Sequence, residues 1–324
     1  MTVAPNSRAL SLRVSVTDRC SLRCAYCAPG AEVIKAQEKE MLSFEAITSF
    51  VRLLKARFGL TEVRLTGGEP LLRPRIERLV AMLKDEGVTG LALTTSGQQL
   101  AARAGALKRA GLQRVNISLD SLDPKTFAEL SGGGDLDRTL AGIEAALSAG
   151  LHPVKLNVVV LRGRNDKEAA DLARFGAARG CQVRFLELMP IGVAEAAFED
   201  RFMSSVDLIE RLRRDFVLTP LPVDPRSTSR NYSARDSTAC VATVGFISPV
   251  SEPFCFACPR LRLTASGMLL GCLARPDGIS MVPLLRDGAE WDVNAVTAAV
   301  DRALAMKRRD GAFLQPRAMV GIGG

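Results

Sequence analysis

The alternation of short β-branched runs with longer helical patterns limits this chain's fold more than any other feature. Six runs read as strands, at 12–17, 62–68, 91–97, 115–120, 154–161 and 182–189. Helical patterns lie between them. Over 43–59, Ser43 reads as an N-cap, and Phe44, Ile47, Phe50, Val51 and Leu54 recur at helical spacing. The patterns over 73–87, 101–111, 135–150 and 167–180 also end on glycine, the usual residue just past a helix. Strands joined in this rhythm by short connections predict a parallel sheet with helical crossovers. Six units suit a partial (β/α)6 TIM-type barrel better than a full eight-unit one, though periodicity alone leaves an open doubly wound sheet as the alternative. In either case the functional groups belong at the C-terminal ends of the strands.

After Met189-Pro190 the rhythm breaks, which divides the chain into 1–190 and a C-terminal region, 191–324. Residues 191–235 read as an irregular loop or lid, rich in Pro, Ser and Arg. A strand follows at 241–248, then a hairpin over 261–272 turning at Ser266-Gly267, a final helix near 292–309, and a tail ending in Gly323-Gly324.

The N-terminus lacks a charged-then-apolar signal, and no apolar run is long enough for a membrane span, so the expected location is the cytoplasm. In a reducing compartment clustered cysteines are more often metal ligands or catalytic groups than disulfides. Six of the eight cysteines cluster; Cys181 and Cys240 read as incidental thiols. His152 is the only histidine, which argues against Cys/His zinc sites and against Ser-His or Cys-His catalysis. The net charge of +8 suits a polyanionic partner, whether nucleic acid, an acidic surface or a nucleoside triphosphate. Two Tyr and one Trp poorly supply a platform for stacking single strands.

Cys20, Cys24 and Cys27 follow the first strand directly. Three thiolates can be part of a zinc site completed from elsewhere, or can hold an iron–sulfur cubane that leaves one iron open to a small molecule. Spacing alone does not separate these. A second trio, Cys255, Cys258 and Cys272, spans the hairpin, with Cys240 as a conceivable fourth ligand. Gly67-Gly68-Glu69-Pro70 ends the second strand, and Thr95 and Ser118 end the next two. Arg260 and Arg262 flank Leu261, so period two puts both on one face. Arg13, Arg64, Lys155 and Arg184 also sit on strands. Cations at comparable places on successive strands suggest a pocket for a multiply charged anion.

Cys-x3-Cys-x-Tyr-Cys after the first strand, together with Gly-Gly-Glu-Pro after the second, resembles the signature of radical S-adenosylmethionine (SAM) enzymes. Leu12 to Cys20, Arg64 to Pro70, Cys255 to Thr264 and the terminal Gly-Gly together resemble one branch, the GTP 3′,8-cyclase family of molybdenum cofactor biosynthesis, over nearly the whole chain. The resemblance implies a lyase with two 4Fe-4S clusters. Cys20, Cys24 and Cys27 would hold the one that binds SAM; Cys255, Cys258 and Cys272 would hold one that meets the guanine base. Tyr26, Gly68, Glu69, Ser118 and Met189 match SAM contacts. Arg13, Arg64, Thr95, Lys155, Arg184 and the run Arg260, Leu261, Arg262 match GTP contacts, and Gly323 and Gly324 would reach the active site. The implied reaction is removal of the ribose C3′ hydrogen by a 5′-deoxyadenosyl radical, then closure on C8 to (8S)-3′,8-cyclo-7,8-dihydroguanosine 5′-triphosphate. Implied partners are GTP, a one-electron reductant and a downstream cyclic pyranopterin monophosphate synthase, with a homodimer left open and no membrane or nucleic acid. The chain departs from the family pattern at Ser96 (usually Asn), at Pro259 (often Asn) and at Ala28-Pro29-Gly30. Two other readings remain: a radical SAM enzyme using its auxiliary cluster on a peptide or other substrate, and a zinc or iron–sulfur nucleic-acid-binding protein.

Overall fold

The computed structural model describes residues 10–27, 41–223, 227–255, 258–285, 291–307, 312–317 and 319–322. The six strands are β1 (Ser11–Ser15), β2 (Glu62–Thr66), β3 (Gly90–Thr95), β4 (Arg114–Ser118), β5 (Val154–Val160) and β6 (Gln182–Glu187), each parallel to the next. The crossovers carry α1 (Phe44–Phe58), α2 (Ile76–Asp85), α3 (Leu100–Ala110), α4 (Pro124–Ser131), α5 (Leu136–Ser148) and α6 (Ala169–Ala178). Ser43 caps α1 by accepting from the Ala46 amide, and Gly59 ends it in the left-handed region. The short α4 is absent from the sequence reading, although it has a cap, Asp123 accepting from the Thr126 amide at 2.8 Å, and a proline at its start.

Residues 191–235 are not one irregular lid. They contain α7 (Phe198–Arg201), α8 (Ser205–Leu212), β7 (Phe216–Pro220) and most of β8 (Arg230–Asp236). Ser204 caps α8, and Leu208 and Leu212 bury its apolar side. The polar composition of β8 conceals a strand because main-chain pairing with β7 and β9 (Val241–Ile247) makes it. The chain continues through β10 (Arg260–Leu263), β11 (Met268–Leu270), β12 (Ile279–Ser280), α9 (Val293–Ala305) and α10 (Met319–Ile322). No helix among the described residues is long and apolar enough to cross a membrane.

The C-terminal strands join the same sheet, in the order β12-β11-β10-β1-β2-β3-β4-β5-β6-β9-β8-β7. Because β10 is parallel to β1 and β9 to β6, the parallel portion is eight strands wide, two more than the βα rhythm supplies. The sheet curls. Six strand steps separate β10 from β6, roughly 29 Å in a flat sheet at ~4.8 Å per step. Yet Arg260 on β10 and Arg184 on β6 line one cavity and repel each other electrostatically. Arg260 also donates from Nη2 to Thr228 Oγ1 at 2.5 Å, just before β8 on the far side of the sheet. The result is a partial barrel with a mixed α/β sheet.

Alternation sorts the two faces. On β5, Val154, Leu156, Val158 and Val160 are buried outward against helices, while Lys155, Asn157 and Val159 face the cavity. The apolar core therefore lies between sheet and helices, with Phe50, Leu54, Leu79, Leu107, Ile143 and Leu172 packed from the helical side.

Candidate active site

The barrel encloses a cavity of about 810 Å³. Barrel interiors are usually filled by branched aliphatic side chains. Here cations and amides point inward. The expected residues on its wall are Arg13, Cys20, Cys24, Tyr26, Cys27, Arg64, Gly68, Glu69, Thr95, Ser118, Lys155, Arg184, Met189, Cys255, Cys258, Arg260, Arg262 and Cys272. Leu261 is a correction. Its side chain is fully buried in the core, as period two demands for a residue between two inward arginines. Gly323 and Gly324 lie outside the described residues.

At the C-terminal end of the parallel strands the first cysteine loop is tied down by main-chain bonds. The Arg23 amide donates to Ser131 O at 3.0 Å and the Ala25 amide to Leu130 O at 2.9 Å, which docks the loop on the end of α4. The Gly68 amide donates to Thr17 O and the Glu69 amide to Arg19 O, both at 2.8 Å. A Cβ on Gly68 would run into the Arg19 carbonyl, so glycine is required by close approach rather than by φ. Tyr26 Oη donates to Asp120 Oδ2 at 2.6 Å, and the Val159 amide donates to Asp120 Oδ1 at 2.8 Å. Burial pushes the Asp120 carboxyl up to about 6, against those two hydrogen bonds. Burial, then Asp120 and the neighbouring thiols, holds the Cys24 thiol well above its ordinary value.

Glu69 differs from expectation. It is buried, and it accepts from Thr95 Oγ1 at 2.6 Å, Ser96 N at 2.8 Å, Ser96 Oγ at 2.7 Å and Leu71 N at 3.1 Å. Its carboxylate already braces the ends of β2 and β3, leaving little capacity for a ligand ammonium. Thr95, expected beside GTP, gives its hydroxyl to this brace. The departure at Ser96 is absorbed here, because its short hydroxyl reaches Glu69.

The second trio occupies the other end of the barrel, which corrects the expectation that all functional groups gather at strand C-termini. Cys255 and Cys258 precede β10, and Cys272 follows the antiparallel β11, so all three lie at the N-terminal end of the parallel strands. The length of β1, about 13 Å from Ser11 to Ser15 at ~3.3 Å per residue, separates the two trios. Cys240 does not join them; it sits in the β8–β9 turn, outside the cavity lining, its amide donating to Asp236 Oδ1. Cys181 is a core thiol. No three His, Cys, Asp or Glu side chains among the described residues converge on a single-metal site. Each trio puts three thiols on the cavity wall, a donor set that fits a 4Fe-4S cluster with one iron left open. The surroundings of the trios differ in charge. Glu69 and Asp120 lie by the first, whereas burial of Cys258 is outweighed by Lys307 and Arg260, which bring that thiol below its ordinary value.

Between the trios runs a cationic belt. Arg13 is flanked in register by Arg262 on β10 and Arg64 on β2. Burial, then Arg262, Arg260 and Arg64, lowers Arg13 well below its ordinary value. Burial and then Arg184, Arg64 and Arg114 bring Lys155 down to about 8; burial and then Arg64 and Arg260 bring Arg184 to about 9. Cations crowded in a low-dielectric cavity are costly unless an anion joins them. Asn157 Oδ1 accepts from Arg184 Nε at 3.0 Å and Nη2 at 2.7 Å and aims the guanidinium.

Sequence reasoning missed Asn157, Arg114, Glu62 and Lys307. Arg114 carried a usable signal, since it shares the inward phase of Asn116 and Ser118 on β4. Lys307 carried none; its Nζ reaches the carbonyls of Arg260 and Gly271 only through the docking of α9.

Residues 14–176 match the radical SAM superfamily, and residues 181–313 match the family described as Molybdenum Cofactor Synthesis C. Proteins named GTP 3′,8-cyclase are similar along nearly their whole length. That of Moorella thermoacetica is 42% identical over 97% of each chain, and that of Paenarthrobacter nicotinovorans 37% identical over 96% of this chain and 88% of its own. In fold the chain is similar to Streptococcus suis SuiB, solved bound to S-adenosylmethionine, with a TM-score of 0.61 at 16% identity. The match covers 87% of this chain but 65% of SuiB. A three-cysteine loop after β1, a partial barrel and relatives at about 40% identity over most of the chain converge: it belongs to the GTP 3′,8-cyclase family of radical SAM enzymes.

Proposed function

We propose that this protein converts GTP to (8S)-3′,8-cyclo-7,8-dihydroguanosine 5′-triphosphate, the first step of molybdenum cofactor biosynthesis. The observation that carries the reading is a cationic barrel interior strung between two cysteine trios at opposite ends of one cavity. When bound, a 4Fe-4S cluster with SAM supplies a 5′-deoxyadenosyl radical that removes the ribose C3′ hydrogen. Cys20, Cys24 and Cys27 would hold that cluster, and Cys255, Cys258 and Cys272 a second one toward the base. Gly68, Tyr26, Ser118 and Met189 shape the SAM wall. Glu69 supports that wall by fixing Thr95 and Ser96. Arg13, Arg64, Lys155, Arg184, Arg260 and Arg262 neutralise the triphosphate and fix the ribose between the trios, so the contribution of the chain is orientation and exclusion of water. The inward direction of these cations disfavours a nucleic-acid-binding surface, and nothing in a peptide substrate calls for so many of them.

The experiment is anaerobic. The protein is reconstituted with iron and sulfide, reduced, and given SAM with and without GTP; 5′-deoxyadenosine and the cyclised nucleotide are quantified by mass. GTP-dependent cleavage with the 3′,8-cyclo product is the expected result. Cleavage without that product would remove GTP as substrate. No cleavage in protein holding both clusters would remove the reading altogether.

A further inference from the structure

The belt divides into two groups. Arg13, Arg260, Arg262 and Lys307 lie beside the thiols of the second trio, with Cys258 facing all four and Cys272 also facing Arg262 and Lys307. Those cations have counter-anions in the thiolates. Lys155, Arg184, Arg64 and Arg114 form the other group, on β5, β6, β2 and β4, and no thiol is among the charges acting on Lys155 or Arg184. One carboxylate serves this second group. Glu62 Oε1 takes Arg64 Nη2 at 2.7 Å, and Oε2 takes Arg114 Nη2 at 2.6 Å. The other carboxylates on the cavity wall are held by neutral donors: Glu69 by Thr95 and Ser96, Asp120 by Tyr26, Glu187 by Ser205 and Ser251. Four cations against Glu62 leave three positive charges uncompensated, and Lys155 has no hydrogen-bond acceptor among the described residues.

We propose that Arg114 is a phosphate ligand held ready by Glu62, and that the pair sets the preference for a nucleoside triphosphate over a diphosphate. The proposal rests on the phosphate-binding reading above and assigns residues that the family resemblance does not. A carboxylate taking one oxygen to each arginine keeps the two guanidinium groups side by side on the cavity wall, each with N–H donors that Glu62 does not use. A phosphate chain must compete with Glu62 for them. A terminal phosphate that reaches Arg114 adds a charge-assisted contact and wins that competition; a chain one phosphate shorter leaves the Glu62 bridge intact.

The test measures equilibrium binding of GTP, GDP, ATP and inorganic tripolyphosphate to the full chain with both clusters assembled and no reductant, so that nothing turns over. Arg114→Gln lowers GTP affinity about tenfold or more, the size expected for losing one charge-assisted hydrogen bond, while GDP and SAM affinities hold. Glu62→Gln tightens GDP binding and shrinks the GTP-over-GDP ratio, because both arginines are then free to meet the shorter chain. A purely structural salt bridge predicts that both variants weaken both nucleotides alike, and that pattern overturns the proposal. So does an unchanged GTP-to-GDP ratio in Arg114→Gln. Failure of the function reading looks different. If the wild-type protein does not favour GTP over ATP but binds tripolyphosphate in an Arg114-dependent way, GTP falls as substrate and the Arg114 assignment stands.

Discussion

At the scale of single residues, charge decides what each end of the cavity can do. Burial and three arginines bring Lys155 down to about 8, far below a free lysine, by penalising its charged form. A polyanion beside it restores the proton. Between about pH 8 and the free-lysine value, nucleotide binding therefore takes up a proton, and affinity falls as pH rises through that window. Calorimetry in two buffers of different ionisation enthalpy measures the uptake, and Lys155→Met reduces it to the share of Arg184, which burial and its neighbouring arginines bring to about 9. Lys307 acts on the second trio. A buried cation beside Cys258 and Cys272 favours the extra electron of a reduced cluster. Lys307→Met should lower the midpoint potential of the second cluster and leave the first unchanged, read by EPR-monitored redox titration. The arginines and the cysteines were visible in the sequence as types and spacings. Glu62 was not, because a carboxylate's role depends on which donors the fold brings to it.

At the scale of elements, the cysteine loop is only as well placed as the end of α4. Gly132 ends that helix at φ +66°, and a Cβ there would meet the Arg23 carbonyl and side chain. Gly132→Ala should cost about 1–2 kcal/mol in left-handed strain and push the loop off its two main-chain bonds. The expected outcome is loss of about half the bound iron, from the first site alone, checked by iron analysis with EPR of the second cluster retained. The element that matters here is one the sequence reading missed. Eight residues of α4 give a weak periodic signal, and its cap looks like a turn. The longer α1, α2, α5 and α6 were legible because their apolar stripes extend over several turns. The turn at Ser266-Gly267 was legible too, for Gly267 has φ +81° and its amide donates to Thr264 O.

At the scale of the whole molecule, the C-terminal region extends the sheet at both edges and then returns to the cavity. Ile322 packs with Ile191 and Leu270, while Phe313 and Met319 stand on the cavity wall. Deleting Gly323 and Gly324 should preserve both clusters and the capacity to cleave SAM yet abolish cyclisation, scored as 5′-deoxyadenosine formed without cyclic product; full cyclase activity in the truncated protein would refute this. The sequence by itself determined the six βα units, the shared face of Arg260 and Arg262, and the placing of the first cysteine loop after β1, because periodicity and turn chemistry are local. Only the tertiary structure decided that β9 and β10 widen the parallel sheet to eight strands, that it curls until Arg260 meets Arg184, and that the second trio faces the first from the opposite end. Period two records which side of a sheet a residue occupies. It carries nothing about curvature, or about which distant strands pair, since those follow from packing across the whole chain.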